Sequence, residues 1–104
     1  MIWKVLLSPD AQMEIRGIHN YISYKLLSPK TANKQTQRIL DGIKSLSEMP
    51  KRNPLYEKEP WKGRGLRKLI IDNYTAFYWT NDKTKEVVVF HVFYGGRNIS
   101  ELIK

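Results

Sequence analysis

Arg67, Lys68, Tyr74, Tyr78, Tyr94 and Arg97 are the residues of this chain whose types and spacing could do chemistry. Arginine beside tyrosine suits RNA, because a planar guanidinium holds phosphate through paired hydrogen bonds and a phenol ring stacks on an unpaired base. Side chains alternate along a strand, so Arg67 and Lys68 take opposite faces and at most one serves a given surface. Tyr74 and Tyr78 share a face, with Phe77 and Trp79 on the other. Arg97 follows the Gly95-Gly96 break that ends the last apolar run. The same residues also fit a structural role, with the tyrosines at the edge of a core and Arg97 anchoring the tail. Spacing leaves both readings open.

Other chemistries find less support. The chain has no cysteine, which excludes disulfides, thiolate zinc sites, iron–sulfur clusters and cysteine nucleophiles. His19 and His91 lie 72 positions apart with no metal-ligand spacing, so no metal and no cofactor is expected. His91, among valines and phenylalanines, reads as a satisfied sheet-face histidine rather than a catalytic base. His19 neighbours a helical stripe and should be partly exposed. Gly63-Arg64-Gly65 is not a phosphate loop, since no Gly-Lys-Ser or Gly-Lys-Thr follows it. No nucleophile-elbow pattern is present.

Charge is more informative. Eighteen Lys and Arg against ten Asp and Glu leave +8. Residues 1–28 carry +1, 29–50 carry +2, 51–68 carry +5 and 69–104 carry zero. The excess is concentrated in Lys51, Arg52, Lys58, Lys62, Arg64, Arg67 and Lys68, offset by Glu57 and Glu59. Such a field attracts nucleic acid or an acidic protein; the plainer alternative is a solubilising loop. Lys62, Arg64, Arg67, Lys68, Tyr78, Tyr94 and Arg97 are therefore the candidate target-binding residues.

The elements that must position them follow from periodicity. At 104 residues the chain supports a single domain, 1–104, with one core. Trp3, Val5 and Leu7 share one face of a first strand over 2–7. Ser8-Pro9-Asp10 is a helix start, and Ala11, Ile15, Ile18, Ile22 and Leu26 continue an apolar stripe. Ser28-Pro29 repeats the start, and Ala32, Ile39, Ile43 and Leu46 form a second stripe in which Thr36 takes the missing place. The two helices should fold back as a hairpin. Gly42 costs the second helix up to about 1 kcal/mol against alanine, which packing can absorb. Residues 50–65 carry three prolines and two glycines without a period and read as a basic loop. Strands are expected over 66–71, 74–80 and 86–94, the last apolar on both faces and therefore central. The tail 97–104 has room for one helical turn. The order β-α-α-β-β-β implies an α+β fold, a small mostly antiparallel sheet against a helical hairpin. No apolar run is long enough for a membrane helix, no secretory signal is apparent, and the two glycosylation sequons are chance matches; the cytoplasm is the expected location.

This order, together with certain residues, resembles the RelE/ParE toxins of bacterial type II toxin–antitoxin pairs. The residues are Ser8-Pro9-Asp10-Ala11, Ile18-His19-Asn20-Tyr21-Ile22, Gly65-Leu66-Arg67-Lys68-Leu69, Asn73-Tyr74-Thr75-Ala76-Phe77-Tyr78 and Tyr94-Gly95-Gly96-Arg97-Asn98. The likeness spans essentially the whole chain, and the ParE-like branch is the more similar. It implies a growth-inhibiting toxin with a cognate antitoxin, often acidic where it touches the toxin, wrapping the hairpin and the basic surface. ParE-like members poison DNA gyrase, whereas RelE-like members cut messenger RNA on the ribosome without metal. In the nuclease reading Arg97, Arg67 and Lys68 would be catalytic. Two expected charge and proton handlers are missing: Thr75 stands where an arginine is expected, and the tail 99–104 has neither tyrosine nor histidine. A non-toxic nucleic-acid-binding module is the remaining alternative.

Overall fold

The computed structural model describes residues 2–95. Arg97 and the tail lie outside them. Within them run β1 (Lys4–Leu7), α1 (Pro9–Asn20), α2 (Pro29–Lys44), β2 (Arg67–Ile71), β3 (Tyr74–Asn81) and β4 (Glu86–Tyr94), in the expected α+β order.

Ser8 caps α1, its Oγ accepting the Ala11 N–H at 3.0 Å, with Pro9 at the first helical position. Ala11, Ile15 and Ile22 are buried and Ile18 packs against them, but Leu26 is 57% exposed. The stripe loses its last member because residues Tyr21–Lys25 form a π-helical turn, whose longer step rotates the chain off the 3.6-residue period. Leu27 then reverses direction with φ of 53°. The second helix start also differs from the first: the Ser28 hydroxyl donates to Thr31 Oγ1 rather than accepting a backbone N–H. Ala32, Ile39, Ile43 and Leu46 are all buried. His19 Nε2 lies 2.9 Å from Asn33 Oδ1, tying the two helices together.

The sheet has the order β1-β4-β3-β2, with β1 parallel to β4 and the other pairs antiparallel. The helices cover one face over Tyr74, Ala76, Tyr78, Val87, Val89 and Val92, and Trp3, just before β1, packs against this core with Val5 and Leu7 of β1. A Cβ on Gly42 would sit 2.8 Å from Ile71 Cγ1, so the glycine lets α2 lie directly on β2. At the β2–β3 turn Asp72 adopts φ of 55°, and its carboxylate accepts from Arg38 Nε at 2.7 Å and Gln35 Nε2 at 3.0 Å.

The connector between α2 and β2 is more structured than its composition predicts. It folds over the second face of the sheet, where Tyr56, Leu66 and Phe77 form a small core flanked by Trp61, Trp79 and Phe93. Residues 54–56 run along β2: the Tyr56 N–H donates to Leu66 O at 2.7 Å and the Lys68 N–H to Pro54 O at 3.2 Å. At the other rim β4 extends past the end of β1. There the Ser8 hydroxyl donates to Phe90 O at 2.7 Å, and Glu14 accepts the Val92 N–H at 3.0 Å.

Candidate functional site

The sequence points to a basic connector acting with the strand tyrosines. Arg67 and Tyr78 are in-register partners on β2 and β3. Tyr78 is fully buried, its hydroxyl donating to Pro50 O and accepting from Asn53 Nδ2 at 3.1 Å. It presents nothing to a ligand, which corrects its place among the binding residues: with Tyr74 and Ala76 it belongs to the face the helices cover. Burial pushes its phenol above the ordinary value.

Arg67 is half-buried and donates from Nη1 to Asn53 O at 2.6 Å and Lys51 O at 3.2 Å. Lys68 points to the opposite face and pairs with Glu57 at 3.0 Å. That hydrogen bond holds the Glu57 carboxyl below its usual range. Lys51 pairs with Asp82 at 2.8 Å. Arg52 donates to the carbonyls of Ser45, Glu48 and Met49 in the turns that follow α2. Four of the seven connector cations therefore serve the fold. Lys58, Lys62 and Arg64 are exposed, and none makes an ion pair among the described residues. Arg64 stands 5.6 Å over the Trp61 ring.

Thr75, at the position where the resemblance leads one to expect an arginine, is 8% exposed and donates to Gly95 O at 3.2 Å. Tyr94 is 60% exposed and meets Tyr74 edge to face at 5.5 Å. His91 is on the sheet face opposite the helices, stacked on Phe93 at 4.9 Å, with Nδ1 2.9 Å from Glu14 Oε2. It is a partnered histidine, as its apolar surroundings suggest. No group of three or more His, Cys, Asp or Glu able to hold a metal occurs among the described residues. No helix among them is long and apolar enough to cross a membrane.

A second surface gathers residues from separate motifs of the sequence, with Tyr94 among the candidate target-binding residues. Between the hairpin tip and the ends of β3 and β4 lies a groove of about 740 Å³, lined among others by Ile18, Tyr21, Ile22, Leu26, Tyr74 and Tyr94. Beside it Tyr24 and Leu27 are also exposed. The stretch 15–40, which includes the hairpin turn, contains no Asp or Glu.

A two-helix hairpin on a four-stranded mixed sheet with a cationic, apolar-grooved surface defines a class of small α+β proteins, and comparison places the chain within it. The family described as the ParE toxin of the type II toxin–antitoxin system, parDE, matches residues 5–99. Among solved structures the chain is similar to one of the chromosomal ParDE system of P. aeruginosa, with a TM-score of 0.74, 18% identity and coverage of 91% of this chain and 98% of that one. It is similar to an archaeal RelE–RelB complex from Pyrococcus horikoshii, with a TM-score of 0.63, 16% identity and coverage of 94% and 100%. A mutant of the E. coli toxin RelE in the free state gives a TM-score of 0.64, 17% identity and coverage of 98% and 90%. A comparison with curated proteins finds no match. The chain belongs to the ParE toxin family, within the RelE/ParE toxins of type II toxin–antitoxin systems.

Proposed function

We propose that this toxin arrests growth ParE-like, by binding DNA gyrase, and that a cognate antitoxin neutralises it in the cytoplasm. The observation that carries this reading is the employment of Arg67 and Lys68. Metal-free RNA cleavage needs groups that converge to deprotonate the 2′-hydroxyl, protonate the leaving oxygen and stabilise the phosphorane. Arg67 and Lys68 lie on opposite faces of β2, and each is already bonded within the protein. Thr75 brings no charge, and Tyr78 is enclosed. These residues do not supply a converging set, whereas inhibition of a protein target requires only a complementary surface. The neighbouring structures described as toxin–antitoxin complexes support the antitoxin partner.

The test is to induce the chain alone and follow DNA topology and message integrity in the same culture, with purified toxin added to a gyrase supercoiling reaction. Impaired supercoiling with intact messages is expected. Messages cut at codons in the ribosomal A site, with normal supercoiling at excess toxin, would instead establish the RelE-like mechanism and make Arg97 the first residue to substitute. Unchanged growth on induction would leave a binding module.

A further inference from the structure

Three connector cations, Lys58, Lys62 and Arg64, are exposed and outside any ion pair among the described residues. Their surroundings differ from those of the hairpin cations. Exposed aliphatic and aromatic side chains cluster at the hairpin tip, whereas none of the large ones falls between Met49 and Ile70. The connector turns its own inward: Tyr56 and Leu66 are in the small core on the second face of the sheet, and Trp61 packs against it.

The three cations stand on a hydrogen-bonded turn. The Lys62 N–H donates to Lys58 O at 2.9 Å, a helical step that brings residues 58 and 62 to the same side. The Arg64 and Leu66 N–H groups both donate to Trp61 O at 3.1 Å. Trp79 Nε1, from β3, donates to Arg64 O at 3.0 Å and fixes that end of the turn to the sheet. The neighbouring acids are engaged, Glu57 by Lys68 and Glu59 by the Gly63 N–H at 3.1 Å. Residues 58–64 keep a net +2.

Protein interfaces take most of their affinity from a few desolvated aromatic or apolar anchors, with charge setting orientation and on-rate. The connector has the charge without the anchors. A nucleic-acid backbone needs none, because cations that neutralise its phosphates release condensed counterions and gain affinity from that alone. Unpaired bases would also ask for an open ring on which to stack. The two rings beside the cations are taken: Arg64 stands over Trp61, and Phe90 meets Trp79 edge to face at 4.4 Å. The surface therefore suits the outside of a duplex better than a single strand.

We infer that the connector turn 58–64 grips the phosphate backbone of duplex DNA, the DNA that gyrase holds when this toxin engages it. The inference rests on the reading of gyrase as the target and adds a contact to the enzyme's DNA rather than to the enzyme.

The experiment compares the full chain with Lys58→Gln/Lys62→Gln/Arg64→Gln. The control, Lys34→Gln/Lys44→Gln/Lys83→Gln, removes the same charge from exposed positions elsewhere. Thermal unfolding verifies that each protein is folded. Each is measured for affinity to a short labelled duplex over a salt series, for binding to gyrase without DNA, and for inhibition of supercoiling. The connector variant should bind the duplex at least about tenfold more weakly, and its slope of log affinity against log salt should be shallower by about three, one per phosphate contact. It should bind DNA-free gyrase as the parent does, yet need at least about tenfold more protein for half inhibition of supercoiling. The control should lose less than about threefold in either measurement. If the parent inhibits gyrase and the folded connector variant inhibits it equally well, the inference falls while the gyrase reading stands. If the parent leaves gyrase untouched, the gyrase reading falls and the inference with it. A connector variant that no longer binds DNA-free gyrase, or that loses only an antitoxin or a single-stranded RNA, would assign the turn to that ligand and overturn the inference. A control that loses as much as the connector variant would overturn it too, by showing that net charge alone is at work.

Discussion

Two cationic regions of this molecule contrast in how their charges are used. The connector, 51–68, has the larger excess, +5, yet Lys51, Arg52, Arg67 and Lys68 are bonded to carboxylates or carbonyls of the same chain. The helical hairpin has a smaller excess, but Arg16, Lys25, Lys30 and Lys34 are exposed and outside any ion pair among the described residues. Net charge counted along the sequence locates where positive residues are made. Their partners decide where positive potential remains for another molecule.

The contrast can be broken most directly at Arg67. Arg67→Ala leaves the carbonyls of Asn53 and Lys51 without their donor and should cost about 2 kcal/mol, because a half-buried bond to a charged group is lost and its acceptors stay behind. Denaturant titration measures it; an unchanged midpoint would mean that this cation is free for other work. A smaller effect is expected at Asp72, where the hydrogen bond from Arg38 holds the carboxyl at about 2, below its ordinary 3.8. A lowered folded-state value means stability present above the unfolded value and lost as pH falls through the folded one. The thermal midpoint of Asp72→Asn should therefore lie below the parent's above roughly pH 4, and the gap should close towards pH 2. A gap independent of pH would show that the carboxylate charge contributes nothing there. The smallest effect on folding belongs to the hairpin: Lys30→Ala/Lys34→Ala should change stability by less than about 0.5 kcal/mol, as exposed unpaired residues do. A drop as large as that of Arg67→Ala would erase the distinction between the two regions.

What the sequence discloses follows the range of the interactions. The Ser8 cap, most of the two helical stripes, the turns at Asp72-Asn73 and 81–85 and the opposite facing of Arg67 and Lys68 depend on neighbours a few residues away. They are legible for that reason. Ser28, which bonds Thr31 instead of a backbone N–H, and Leu26 are local exceptions; the other failures are long-range. Leu26 leaves the core because one π-helical turn shifts the phase of the stripe. Tyr78 reads as a ring available for stacking until its partners Pro50 and Asn53, more than twenty positions away, are in place. The connector reads as a loop because its order comes from lying on Phe77 and along β2 rather than from a period of its own. Strand order is invisible for the same reason, since nothing local tells β1 to run parallel beside β4. As for the candidate site, the sequence names Lys62 and Arg64, which are exposed, and Ile18, Tyr21, Ile22 and Tyr94, but not the groove that brings the last four together.

The rims of the sheet have a last consequence. Residues 54–56 occupy the outer side of β2, the side chains of Ser8 and Glu14 satisfy the overhang of β4, and β1 is four residues long with Lys4 in it. A toxin freed from its antidote is thus a poor template for strand exchange with its own copies. It should stay dispersed and potent instead of condensing into inert aggregates, so that loss of the antidote releases active molecules rather than precipitate.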